Sequence, residues 1–475
     1  MKKFSVIILI VLLFSLMTGL LSGCQPADEI LLVIDGDVEG NILSVNLGEI
    51  KQKKYSYDDE GDTVNTKGWH ISDVIDRSKF LFEDSLIMIT SATDGVSAVI
   101  EGEITGNIYI YSDEENTLSA KSIDYPPVCS IKNISEITVI AKDPLNVGYK
   151  ILTPTATEYV SRGNAKLRLY EQTAENYSGT NVAYKYVLKT DLSVSSFTQK
   201  EDNTVYFTDY DIETETDLKS LSWENGGLIL NLQDSKKEVF GIATGTHKMI
   251  YDAYSEMVES IDKGEKVMFI LPDGLSWEQT GEFSDYLGLF KRENARIALS
   301  THLSISPVAL ASIVTGEPPG VNGVFFAEGE SRAVLEPVVS DIFEYAVAKG
   351  KSVSYLEGTG NLIVTSVDPT YALSDEEIYN NAKDAITSGK DLVFVHFHEI
   401  DDTNHEYGPL ASQSRTKVLY IESYIDYLIS QFDGKVIVVP DHGHNTLYDS
   451  ENNPSGKHGM FTHYDMYVPY YVFNE

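Results

Sequence analysis

From Lys266 to the C-terminus, short and nearly continuous apolar runs alternate with segments whose apolar residues recur every three or four positions. The runs KVMFILP, DLVFVHF and KVIVVP predict strands over 266–272, 391–397 and 435–440, with a fourth at 352–356. The longer period predicts helices over 307–315, 337–349, 375–387 and 411–431, after an amphipathic helix that ends near Gly264. Strands apolar at successive positions are buried on both faces, so this region reads as an α/β fold with a mostly parallel central sheet under two helical layers. In such sheets ligands collect at the carboxyl edge of the strands.

Before Lys266 the period is two. LLVIDGDV, SLIMITSA, NIYIYS and EITVIAKD lie between Gly, Asp and Asn turns, with one helical piece, ISDVIDRS. YKYVLKTDLSV, NTVYFTDYDI and GLILNLQD continue the pattern. These runs predict β-rich domains over 31–145 and 146–243 ahead of an α/β domain over 244–475. The stretch NTKGWHISDVI with TSATDGVSAVI resembles the molybdopterin-binding domain of sulfite oxidase-type proteins. That resemblance implies a fold and no cofactor, because no cysteine stands in that family's metal-ligand context. His70 and Cys129 read as packed structural residues.

Lys2 and Lys3 precede an apolar run from Phe4 to about Leu20, followed by LLSGC. This is the layout of a secretory leader. Ser22 and Gly23 before Cys24 resemble the bacterial lipobox, which implies a signal peptide over 1–23, lipidation of Cys24 and a tether over 24–30. The alternative is an uncleaved N-terminal anchor. On either reading the protein is exported and held on the outer face of the bacterial cytoplasmic membrane. Cys129 is then the sole cysteine left, so no internal disulfide can form.

A formal charge of −36 repels phosphate backbones and excludes a nucleic-acid binder. It also opposes any anionic substrate, so an enzyme for phosphates needs local cations. Eight of the ten histidines lie between His302 and His463, beside aspartates at strand ends. Asp273 ends FILPD, Asp401 follows FVHFHEI, and Asp441 with His442 follows VIVVP. Three aspartates at one sheet edge repel each other unless a cation lies among them. His405, four residues after Asp401, can converge with it on one metal, and His458 stands in the glycine-flanked GKHG. Asp and His ligands without thiolates suit zinc in an open, catalytic setting.

The order PDG, SPVALASIVTGEPPGVNGV, EIDDTNHEYGP, PDHGH and GKHGMFTHYDMYVPY resembles the alkaline phosphatase superfamily. EIDDTNHEYGP is similar to the acidic His-Tyr-Gly-Pro motif of its type I phosphodiesterase/nucleotide pyrophosphatase branch. The resemblance covers about Lys266 to Glu475 and implies an alkaline phosphatase-like sandwich. It implies one zinc on Asp401, His405 and His458 and a second on Asp273, Asp441 and His442, with Ser306 as nucleophile and ligand to the second. Ser304 and Thr301 are fallbacks, and on local sequence alone Ser306 serves equally as a helix N-cap. Phosphoric esters are the implied substrates. Hydrolysis of a diester leads; hydrolysis of a monoester, transfer of a phospho-alcohol group to an envelope glycan, and a non-catalytic envelope-binding lipoprotein are the alternatives.

Three departures matter. The branch uses Thr where this chain has Ser306, and its phosphate-holding Asn would fall near Ala327. Asn322, Lys457 or backbone groups are then the expected phosphate contacts. SPVAL lacks the arginine of a sulfatase motif. His302, His396, His398, His444 and His463 are expected as supporting or substrate-contacting residues.

Overall fold

The structure, a computed structural model, describes residues 29–474 apart from 60, 114, 144–146, 215–219, 326–334 and 361. The leader, Cys24 and the place near Ala327 lie outside the described residues. Among the described residues no helix is long and apolar enough to cross a membrane.

Two compact units emerge. The first takes the described residues up to Asp143 together with the hairpin Tyr170–Leu188. Its larger sheet runs Tyr170–Ser178, Asn181–Leu188, Ser97–Glu101, Ser85–Ser91, Ile134–Ala141, Leu31–Gly36, Ile42–Asn46. A four-stranded sheet, Lys53–Asp59, Asp62–His70, Ile108–Ser112 and Leu118–Ser122, completes it. Alternate residues such as Ile87, Ile89, Ile137 and Val139 fill a common core with Trp69 and Cys129. Burial pushes the Cys129 thiol up to about 12, which leaves it unreactive. His70 caps the helix Ile71–Val74 through Nδ1, which accepts from the Ser72 amide at 3.3 Å. Both residues are structural, as their sequence context indicates.

The second unit takes Pro144–Leu169 and Lys189–Glu475. Its central sheet has the order Arg296–Leu299, Tyr467–Phe473, Lys435–Val438, Val267–Pro272, Leu392–Phe397, Val353–Glu357, Thr370–Tyr371. The five strands from Lys435–Val438 onward pair in parallel, and the first two are antiparallel. The α/β architecture with a mostly parallel sheet stands as the hydrophobic pattern predicts. The antiparallel strands are additions. Tyr467, Tyr470 and Tyr471 are buried there, and two of their hydroxyls donate to backbone carbonyls, Tyr467 to Thr244 at 2.7 Å and Tyr471 to Phe290 at 2.7 Å.

Continuous apolarity is used on both faces. Val267, Phe269 and Leu271 pack against the helices Asp252–Lys263, Ser306–Thr315 and Ile342–Ala348. Met268 and Ile270 pack against Asp375–Thr387 and Ser412–Gln431. A fully buried Phe269 or Phe394 contributes on the order of 2–3 kcal/mol through burial alone. A second seven-stranded sheet of this unit, which includes Tyr149–Thr153, Thr204–Phe207 and Lys236–Ala243, packs on the same body. Tyr206 Oη donates to Ser300 O at 2.9 Å, and a Cβ at Gly241 would stand 2.4 Å from the Phe461 ring. Residues 146–243 are therefore divided, the hairpin going to the first unit and the remainder folding with the α/β region.

Candidate metal centre

Three neighbouring parallel strands deliver the aspartates to one edge. Asp273 follows Val267–Pro272 directly, Asp441 follows Lys435–Val438, and Asp401 sits in the first turn of the helix Glu399–Tyr407 after Leu392–Phe397. The hairpin Asn445–Tyr448 and Pro454–Lys457 brings His458 over them. Two of the groups able to hold a metal ion result: Asp273 with Asp441 and His442, and Asp401 with His405, His444 and His458. The resemblance implies the same grouping for Asp273, Asp441 and His442 and for Asp401, His405 and His458; His444 joins the second group, and Ser306 stands beside the first.

Hydrogen bonding sets the tautomers. His405 Nδ1 donates to Gly456 O at 3.0 Å, His458 Nδ1 to Ser304 O at 3.1 Å, and His442 Nδ1 to Gly443 O at 3.2 Å. A ring nitrogen that meets a carbonyl must carry the proton, so Nε2 of each neutral ring is a bare acceptor. These bare nitrogens face other acceptors. His405 Nε2 lies 3.1 Å from His458 Nε2 and 3.4 Å from Asp401 Oδ2, and His442 Nε2 lies 3.3 Å from Asp441 Oδ2 and 3.6 Å from Asp273 Oδ1. Asp273 Oδ1 and Asp441 Oδ2 are buried without any hydrogen bond, while Asp401 Oδ1 and His444 Nε2 have each other at 3.1 Å. Lone pairs turned on lone pairs repel, and a cation between them reverses the sign. The donor set fits zinc, with imidazole and carboxylate ligands and no thiolate.

Electrostatics agree. Burial, then the charges of Asp273 and Asp401, push the Asp441 carboxyl well above the usual range. Burial opposes ionisation of Asp273 too, but hydrogen bonds from His396 and His398 hold its carboxyl well below that range. Burial and the neighbouring His458 depress His442 to about 3, so it stays neutral and able to coordinate.

Other residues fix the frame. Asn404 Nδ2 donates to Gly274 O at 3.0 Å while its Oδ1 accepts from Gln279 Nε2 at 3.0 Å, tying the helix of Asp401 to the turn after Asp273. Gly274 has φ +77°, and a Cβ there would lie 2.9 Å from His444 Cε1 and 3.0 Å from Asp401 Cα. Only glycine fits.

Ser306 opens the helix Ser306–Thr315, and its Oγ lies 3.2 Å from His442 Nε2. The N-cap is Ile305, in extended conformation, so the N-cap reading of Ser306 is corrected: its hydroxyl turns to His442 instead of closing the helix. The fallbacks are otherwise engaged, Ser304 Oγ donating to Met460 O at 3.2 Å and Thr301 Oγ1 to Leu303 O at 3.4 Å. Asn322 is no phosphate contact either. It is buried, donates to Ser312 Oγ and Glu317 O, and accepts from the Val324 amide, which occupies its amide on both sides. Lys457 is exposed on the hairpin. His463 Nδ1 meets Thr157 Oγ1 at 2.9 Å, a packing role, and His302 stacks on Phe240 with ring centroids 4.1 Å apart.

The family model described as type I phosphodiesterase / nucleotide pyrophosphatase matches residues 354–457, a stretch that holds Asp401, His405, Asp441 and His442. Over that stretch the chain is similar to the type I phosphodiesterase family. Solved structures similar to it include murine ectonucleotide pyrophosphatase/phosphodiesterase 5, at 16% identity over 39% of this chain and 59% of that one, TM-score 0.30. Phosphonoacetate hydrolase from Sinorhizobium meliloti 1021 is similar at 15% identity over 40% of this chain and 59% of that one, TM-score 0.32. The C-terminal periplasmic domain of a phosphoethanolamine transferase from Campylobacter jejuni is similar at 10% identity over 44% and 79%, TM-score 0.32. The chain thus spans about three fifths of the pyrophosphatase and of the phosphonoacetate hydrolase. No match is found among curated protein sequences.

Proposed function

We propose that the protein is an exported, lipid-anchored phosphoric ester hydrolase that uses Ser306 as nucleophile and two zinc ions, with diesters as its preferred substrates. The carrying observation is the set of three imidazoles whose Nδ1–H groups are tied to backbone carbonyls while their bare Nε2 atoms converge on Asp273, Asp401 and Asp441. Asp273, Asp441, His442 and Ser306 would hold one ion; Asp401, His405 and His458 would hold the other. Ions bound there lower the pKa of a hydroxyl and of water and neutralise ester oxygens. The export and lipid anchor rest on the LLSGC leader.

The chain's own part begins with position. Ser306 Oγ stands at the positive end of a buried ten-residue helix, where developing negative charge is stabilised. Its attack on phosphorus forms the Oγ–P bond as the P–O bond to the leaving group breaks, and the proton lost by Oγ ends on the departing alcohol oxygen. Water then attacks the phosphoserine, the Oγ–P bond breaks, and phosphate or its monoester leaves. Gly274, Asn404 and Gln279 keep the two ligand groups in register throughout.

The test uses the chain from residue 25 onward: zinc per chain by elemental analysis, with turnover of bis-p-nitrophenyl phosphate and p-nitrophenyl phosphate, with and without chelator. At least two ions, chelator-sensitive turnover and a faster diester are expected. A faster monoester would make it a phosphatase. No metal and no turnover in folded, zinc-supplied protein would overturn the reading in favour of an envelope-binding role.

A further inference from the structure

Asp465 lies in the short helix His463–Met466 and is fully buried. Its Oδ2 accepts from the Met460 amide at 2.6 Å, and its Oδ1 accepts from Asn445 Nδ2. The Ser304 hydroxyl, which donates to Met460 O at 3.2 Å, lies against the same carboxyl. The Asp465 carbonyl accepts from the Gly443 amide at 2.9 Å. One residue thus joins three loops: Gly443 and Asn445 flank His444 and follow His442, Met460 follows His458 by two, and Ser304 precedes Ser306 by two.

These loops carry the carbonyls that aim the rings. His442 Nδ1 is held on Gly443 O and His458 Nδ1 on Ser304 O, so Asp465 stands one hydrogen bond behind each anchor. The packing is equally close, for a Cβ at Gly443 would stand 2.1 Å from Tyr464 O. Asn445 is fixed in turn: its Oδ1 accepts from Thr462 Oγ1 at 3.0 Å while its Nδ2 serves Asp465.

The choice of a carboxyl here is informative. Glu357, another buried carboxyl of this unit, is gripped by the imidazoles of His396 and His398. Asp465 instead answers a main-chain amide and a neutral side-chain amide, and sealing a carboxyl from water for neutral donors is costly. What it offers is two oxygens that accept in either charge state, where a side-chain amide has one accepting end. Met460 N and Asn445 Nδ2 are both donors, so an amide in place of the carboxyl turns an N–H against one of them and frees a loop. We propose that Asp465 is the positioning residue of the centre, holding the loops of His442, His458 and Ser306 at one spacing. It acts through those loops and not on the reacting atoms, and the inference rests on the hydrolase reading. A displacement of about 1 Å at reacting atoms costs on the order of 10²-fold in rate.

The test compares the zinc-loaded wild-type chain from residue 25 with Asp465→Asn, Asn445→Asp and the two substitutions together. Zinc per chain, kcat and KM on bis-p-nitrophenyl phosphate, and the visible spectrum of the cobalt-loaded forms are measured. Each single substitution is expected to leave both ions bound, to lower kcat roughly 10–100-fold with KM within about twofold, and to shift the cobalt bands. The exchanged pair sets amide and carboxyl on opposite sides of the same gap, so every donor regains an acceptor. Its kcat is expected within about fivefold of wild type. An unchanged kcat in Asp465→Asn, or a loss that the exchanged pair does not recover, would overturn the brace and leave the hydrolase reading standing. If the single variants do not fold, Thr462→Val, which removes only the donor that fixes the Asn445 amide, is expected to lower kcat about fivefold. An unchanged kcat there would equally overturn the brace. No zinc and no turnover in wild type would overturn the hydrolase reading itself, and the brace with it.

Discussion

The two groups proposed to hold zinc are built on opposite plans. Asp273, Asp441 and His442 are sealed in the protein, each at most 2% exposed. Asp401, His405 and His458 stand at the rim, with the His405 side chain 44% exposed and Asp401 and His458 each 15%. The sealed group grows from strand ends and a tight turn, so its geometry comes with the sheet. The rim group joins a helix to a hairpin that has solvent on its outer side. A buried carboxylate cluster without an ion is costly, whereas a half-exposed one finds water. On the proposed reading an ion in the sealed group would be part of the fold, and an ion at the rim would be the exchangeable partner that meets substrate.

The largest effects should come from the sealed side. Ser306→Ala is expected to lower turnover roughly 10³-fold or more while leaving the metal content unchanged, because the hydroxyl is one ligand among several. Asp273→Ala should lose activity equally and also lose bound metal and thermal stability. Matched metal loss in Ser306→Ala would show that the serine organises the site instead of reacting.

At the rim the loss should be smaller and separable. His405→Ala is expected to cost on the order of 10²-fold in turnover and to release one ion, with excess zinc restoring part of the rate. Chelator added to wild type should strip this ion first, giving two kinetic phases by a colorimetric zinc indicator. A single phase would erase the distinction between sealed and rim ions. Asn404 couples the two sides, so Asn404→Ala should take from Gly274 O its side-chain donor and leave Gln279 Nε2 with Pro409 O as its acceptor, at a cost of about 1–3 kcal/mol in unfolding free energy. Its turnover should fall about tenfold through misalignment of Asp401.

The contrast also separates what sequence conveys from what it does not. Strands such as VMFILP declare themselves because burial on both faces removes polar residues, and aspartates at their ends are visible by position. Sheet order is another matter. Glu357 lies 44 residues before Asp401 in sequence, and only the pairing of Val353–Glu357 with Leu392–Phe397 brings it to the same edge. His396 and His398 carried a usable signal, the two-residue spacing at a strand end that puts both rings on one face. His444 carried none, because it stands with His442 in an irregular segment before the strand Asn445–Tyr448, where a spacing of two fixes no face. Asn322 misled because a polar residue beside a glycine turn looks free until its amide is found occupied on both sides. The antiparallel strand Tyr467–Phe473 was hidden by tyrosines whose hydroxyls find carbonyls inside the core.

The smallest effect should come from the acidic residues next to the ligands. In the helix Glu399–Tyr407, Asp401 and His405 are four apart and share one face, while Asp402 and Glu406 share the next. Both of the latter are exposed. Like charges four apart repel by a few tenths of a kcal/mol, about 0.2–0.5, so Glu406→Ala should stabilise the helix slightly. Turnover is expected to stay within about twofold of wild type, since nothing on that face reaches the edge where Asp273 and Asp441 stand. Asp401→Ala, one helical turn away, should lose the rim ion and most activity. If the two variants lost activity equally, the acidic field of this helix, rather than the convergence of one carboxylate and one imidazole, would be what the site requires.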